Sequence, residues 1–95
     1  MIYQISYELR NPDRDYSEFF VFLEQNLGLN AIHVLRDVWW IATKAQEDID
    51  DLTNRIIDSG YLGKSDSFFI VEISSVDING WMPGNTWKWY KTHKG

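Results

Sequence analysis

No cysteine occurs anywhere in the 95 residues. That absence excludes a disulfide framework, a thiolate metal site and a cysteine nucleophile. The two histidines, His33 and His93, are far apart in sequence, so no pair has the spacing of a zinc site. Two prolines and six glycines are too few for a low-complexity chain. No apolar run approaches the roughly 20 residues that a membrane span requires. The opening Met1-Ile2-Tyr3-Gln4 lacks the basic-then-apolar order of a signal peptide, so a cytoplasmic protein with no membrane partner is expected.

Positive charge is scarce as well. Nine Lys and Arg face 14 Asp and Glu, a net charge of −5. Residues 1–80 hold every acid and six bases, net −8, whereas residues 81–95 carry Lys88, Lys91 and Lys94 and no acid. Nucleic-acid binding depends on clustered Lys and Arg that neutralise phosphates, and an acidic body of this kind disfavours it.

What the chain does have is apolar and aromatic bulk. Hydrophobic residues make up 44% and aromatics 16%, with five Trp, enough for one folded core and against disorder. Ninety-five residues fit a single domain. A domain of this size buries only about 60–65% of its unfolded surface, so a second copy would add to its stability.

Residues 2–10 alternate, Tyr3, Ile5, Tyr7 and Leu9 against Ile2, Gln4, Ser6 and Glu8, which predicts a strand with one set on a core. Asn11-Pro12-Asp13 ends it. Asp15 with Glu18 has capping-box spacing ahead of Tyr16, Phe19, Phe20, Leu23 and Leu27, a helix ending at Gly28. Residues 30–36 and 38–43 predict a hairpin turning at Arg36-Asp37. Thr43 with Gln46 repeats the capping-box spacing. Ile49, Leu52 and Ile56 then give a second helix its apolar face, and Gly60 closes it. Residues 67–74 predict a further strand, apolar enough to be central.

The order strand, helix, strand, strand, helix, strand is the ferredoxin-like α+β plan: an antiparallel sheet with two helices on one face. It fills residues 1–75. Residues 76–95 form a Trp-rich extension that packs on the domain or on a dimer partner. Pro83 suits the start of a short final helix, on which Trp87 and Tyr90 share one side.

Three groups of residues could carry function. Glu8, at the exit of the first strand, could hold a hard metal ion, alone or shared across a dimer axis; the alternative is a solvent-facing acid. Glu47, Asp50, Asp51 and Asp58, with Asn54, form an acidic helix face that either is merely solvated or imitates a phosphate backbone towards a basic protein. Trp81, Trp87, Trp89 and Tyr90 are read as packing, dimer or partner contacts, or as base-stacking groups with Lys88 and Lys91 on phosphates. His33 is expected to pack in the hairpin, and Gly60-Tyr61-Leu62-Gly63 is a turn and not a phosphate loop.

The opening Tyr3-Gln4-Ile5-Ser6-Tyr7-Glu8-Leu9-Arg10, Asp15-Tyr16, the hairpin His33–Thr43, Phe69–Ser74 and the ending Gly80-Trp81-Met82-Pro83 with Trp87 and Trp89 resemble the SinR-like relatives of CRISPR-associated protein two. The resemblance spans nearly the whole chain. It implies a ferredoxin-like homodimer, and for the CRISPR relatives metal-dependent nuclease activity or a structural DNA-binding role. Their usual metal-holding residue is an Asp following Tyr at the end of the first strand; here Tyr7 is followed by Glu8. Glutamate keeps the charge but displaces the oxygens by a methylene, a large change where metal geometry must hold within roughly 0.5 Å.

The expected function is accordingly a non-catalytic homodimeric module acting on a protein partner, with no cofactor, of the kind a phage or mobile element uses in defence-related regulation or inhibition. The alternatives are a Mg²⁺- or Mn²⁺-dependent endonuclease using Glu8 with Ser6 or Arg10, and a structural nucleic-acid binder using Lys88 and Lys91.

Overall fold

The computed structural model describes all residues, Met1–Gly95. Its elements run β1 (Ile2–Glu8), α1 (Ser17–Gln25), β2 (Asn30–Leu35), β3 (Val38–Ala42), α2 (Ile49–Ser59), β4 (Ser67–Glu72) and α3 (Gly84–His93). The four strands form one antiparallel sheet in the order β2-β3-β1-β4. This is an α+β protein with three helices.

Period-two alternation sends β1 residues to both faces, and both faces are used. Tyr3, Ile5 and Tyr7 join Trp39 and Ile41 of β3 beneath α1 and α2, which contribute Phe19, Leu23, Leu52 and Ile56. On the opposite face Ile2, Trp40 and Ile73 pack against Tyr90 of α3, with Trp87 and Trp89 half-buried around them. The molecule therefore has three layers, and the C-terminal extension supplies the third. The edge-on contact of Trp87 and Tyr90, 6.3 Å between centroids, puts them on one side of α3 as their spacing predicts.

Local signals act at slightly different positions from those the sequence suggests. Asp15 does not form a capping box with Glu18; its Oδ1 accepts from the Ser17 amide in an Asx turn, and Tyr16 occupies the N-cap. Thr43 does not cap α2, because it is buried just past the end of β3, where its amide donates to the Met1 carbonyl. The reciprocal pair is Asp48 and Asp51, each side chain accepting the other's amide, so α2 starts later than Thr43-Gln46 suggests. Gly60 closes α2 at φ 75°, the left-handed conformation that glycine adopts without steric cost.

The β2–β3 hairpin turns at Arg36-Asp37 as expected, with a bulge between His33 and Leu35. His33, directly opposite Trp39 in the regular part of the register, lies flat on its ring, 4.5 Å between centroids and 7° between planes. β4 is the one strand whose predicted place is wrong: it lies at the edge and not in the centre. Its composition is that of a strand covered on both faces, yet Phe69 is 66% exposed.

Candidate functional site

Glu8 ends β1 opposite Ser67, the first residue of β4. A tight polar junction surrounds this exit, organised by residues that carry no motif. The Asp66 carboxylate accepts from the Tyr16 hydroxyl at 2.6 Å, the Arg10 amide at 2.9 Å and the Gly63 amide at 2.8 Å. The Arg10 guanidinium donates to the Ser65 carbonyl and the Ser67 hydroxyl, and its other terminal nitrogen meets Glu8 Oε2 at 2.7 Å. Arg14 reaches the Gly60 carbonyl. Loops 9–16 and 60–66, distant in sequence, are thereby locked to each other.

Within this frame Glu8 is an exposed carboxylate paired with Arg10. No group of three or more His, Asp or Glu side chains gathers in ligand geometry anywhere in the chain. Tyr7, the residue before it, faces the other way. Its hydroxyl accepts from the Trp39 indole N–H at 3.1 Å and donates to the Arg36 carbonyl. Burial pushes its ionisation upward despite the Trp39 hydrogen bond. Ser6 lies opposite Val38 on one side and Phe69 on the other.

Asp66 itself is held below its ordinary value of 3.8. Desolvation opposes the charge, but the Tyr16 hydroxyl, the Gly63 and Arg10 amides and the Arg14 charge together outweigh it. A folded value below the unfolded one means that the carboxylate's stabilising contribution is full well above 3.8. It shrinks as the pH falls past that point and is gone once the pH drops below the lowered folded value. Asp66→Asn keeps one acceptor but turns an N–H towards the Gly63 amide. At neutral pH it is expected to cost about 1–2 kcal/mol in urea denaturation, and the gap to wild type narrows at pH 3. A gap that stays constant with pH would show that the junction does not depend on the ionised carboxylate.

The acidic candidates divide. Asp50, Asn54 and Asp58 are exposed on α2 and none is ion-paired, the chain's two salt bridges lying elsewhere. Asp51 is exposed too, but its carboxylate serves the Asp48 amide. Glu47 precedes the N-cap and does not belong to the helix face. Its Oε1 pairs at 2.7 Å with Arg55, which also donates to the Leu27 carbonyl and so ties α2 to the segment after α1.

The aromatic candidates divide as well. Tyr90 is buried and donates to the Ile73 carbonyl at 2.8 Å. Trp87 and Trp89 lean on Trp40 at 6.0 and 6.5 Å, and the Trp89 indole donates to Asn30. Trp81 is fully exposed. Lys88 and Lys91 are exposed on α3; Lys91, with Lys94 and Asn79, borders an open depression of about 410 Å³ floored by Ile78, Trp87 and Tyr90. No helix is long and apolar enough to cross a membrane.

Sequence reasoning missed Asp66, Tyr16 and Arg55. The available signal was weak: single residues with polar ends, Asp66 and Tyr16 outside the helices and Arg55 within α2, whose meaning depends on contacts 28 to 56 residues away. Compared with family models, curated proteins and solved structures, the chain matches none.

Proposed function

We propose that the chain is a ferredoxin-like, homodimeric binding module, akin to the SinR-like group, that acts by docking a basic protein partner on the outer face of α2. The observation that carries this reading is the unpaired, exposed set Asp50, Asn54 and Asp58, which recur at four-residue steps along one side of the helix. Carboxylates left without cations on a rigid element raise the on-rate and the selectivity for a positively charged surface. The fold part of the reading is supported by the element order and by the strand order β2-β3-β1-β4. The engagement of Glu8 by Arg10 supports a binding role over a catalytic one, because the carboxylate is already in an ion pair within the chain.

The double variant Asp50→Lys/Asp58→Lys tests the proposal by affinity capture from the source cells. Wild type is expected to retain a basic protein that elutes as salt rises from about 0.15 M, where the screening length is about 8 Å, towards 1 M, where it is about 3 Å. The variant, with its far-ultraviolet dichroism unchanged, is expected to lose at least nine-tenths of that protein. Recovery of nucleic acid without protein, or equal capture by the variant, would overturn the α2 assignment.

A further inference from the structure

The sheet ends differently on its two sides. Edge strands offer unpaired N–H and C=O groups to any passing strand, and proteins blunt them with bulges, Lys, Pro or a covering element. β2, one edge, carries the bulge between His33 and Leu35 and is held by the Trp89–Asn30 hydrogen bond. β4, the other edge, reads Ser-Phe-Phe-Ile-Val-Glu, keeps an unbroken register with β1 from Tyr3↔Glu72 to Glu8↔Ser67, and has none of these devices. The Ile73 amide bonds the Ile2 carbonyl across the same register. By the alternation of antiparallel pairing, Ser67, Phe69 and Val71 also turn their backbone groups to β1, while Phe68, Ile70 and Glu72 turn theirs outward. No loop or side-chain hydrogen bond reaches those outward groups.

We infer that β4 pairs antiparallel with β4 of a second copy, about a two-fold axis at Ile70, joining the two sheets into one of eight strands. This inference deepens the homodimer reading given above by naming its interface. The choice of a second copy follows from self-complementarity. Centred on Ile70, the pairing sets Ile70 opposite Ile70 and Phe68 opposite Glu72, so all three outward residues of each strand find partners. Phe69, 66% exposed, then stands opposite Val71, 36% exposed, and the pair recurs on the other side of the axis as one apolar strip. The two Glu72 side chains fall at opposite ends, about 14 Å apart at the rise of an extended strand, beyond the screening length of about 8 Å at physiological salt. Shifting the register two residues towards Glu72 shortens that separation and leaves Phe68 unpaired. A six-residue edge falls short of the ~800 Å² per partner of a standard interface, so the association depends on concentration.

The absence of native cysteine makes the test clean. Wild-type mass by light scattering is expected to rise with concentration from 11.2 kDa towards twice that value, and Phe69→Lys, with an unchanged dichroism spectrum, is expected to remain monomeric. Under mild oxidation, a mixture of Phe69→Cys and Val71→Cys chains is expected to form a 69–71 disulfide between copies, because a non-hydrogen-bonded pair sits about 4.5 Å apart at Cα. Phe69→Cys alone links poorly, its Cα atoms being about 8 Å apart and outside disulfide range. Ile70→Cys links to itself on the axis; should that variant fold badly, the 69/71 mixture decides. A dimer that cross-links best through 69–69 would overturn this register and leave dimerisation standing. A monomer at every concentration would overturn pairing of copies altogether, and the α2 proposal would still be decided by its own capture experiment.

Discussion

Replacing Trp40 with alanine is expected to lower the free energy of unfolding by about 3–5 kcal/mol and to loosen α3 from the sheet. Trp40 is 2% exposed and stands at the centre of the second core. Its ring meets Tyr90 at 5.6 Å, and Trp87 and Trp89 lie just beyond. Its indole N–H donates to Gln4 Oε1 at 2.9 Å, so truncation also leaves that amide oxygen short of a donor. A domain of this length has about 5–14 kcal/mol in total at ~0.05–0.15 kcal/mol per residue, and one substitution removes a large part of it. Urea denaturation gives the cost, and hydrogen exchange locates it: amides of α3 lose protection first, while those of β1 and β3 keep theirs. A cost under about 1 kcal/mol with α3 still protected would mean that the C-terminal layer is held by something other than this indole.

The second large effect is expected at Gly28. A Cβ built there would lie 2.6 Å from the Ala42 carbonyl oxygen and 2.6 Å from Ile41 Cγ2. The carbonyl is backbone and accepts from the Leu29 amide at 2.8 Å, so it cannot swing aside without breaking the seam between the end of α1 and β3. Gly28→Ala is expected to cost about 2–3 kcal/mol, towards the upper end for overpacking. Gly84 is the control. It opens α3 with nothing within 4 Å of an added Cβ, so Gly84→Ala leaves stability unchanged or raises it by up to about 1 kcal/mol. Equal melting temperatures for the Gly28 and Gly84 variants would refute the steric account.

Much of the architecture is legible from periodicity. The alternation of residues 2–9, the apolar stripe at Phe19, Leu23 and Leu27, and the stripe at Leu52 and Ile56 all mark the first core. Boundaries are less legible, because more than one pair of residues has capping-box spacing. Thr43-Gln46 and Asp48-Asp51 have the same spacing, and the second pair wins because Thr43 is already committed to extending the sheet. The second core is harder to read, since Ile2 and Gln4 look like the solvent face of a half-buried strand until α3 is placed over them. β4 misleads for a related reason. Phe69 and Val71 give it the composition of a central strand, whereas its position is set by which strands the helices can connect, a long-range property that local pattern does not contain. Among the candidate residues, spacing alone separates neither Glu47 from Asp50 nor Trp81 from Tyr90. In each pair one side chain is engaged within the chain and the other faces water.

Trp39 and Trp40 are adjacent, and the pleat sends one indole into each core. Sliding β3 by a single position would send each to the other face and leave one of the two sites without an indole: in one direction Val38 would replace the ring beneath His33 and the donor to Tyr7, and in the other Ile41 would replace the donor to Gln4 and the ring against Tyr90. The dipeptide thus works as a key cut on both edges, able to turn in only one alignment. It makes the placement of the middle strand an all-or-none choice for the whole molecule.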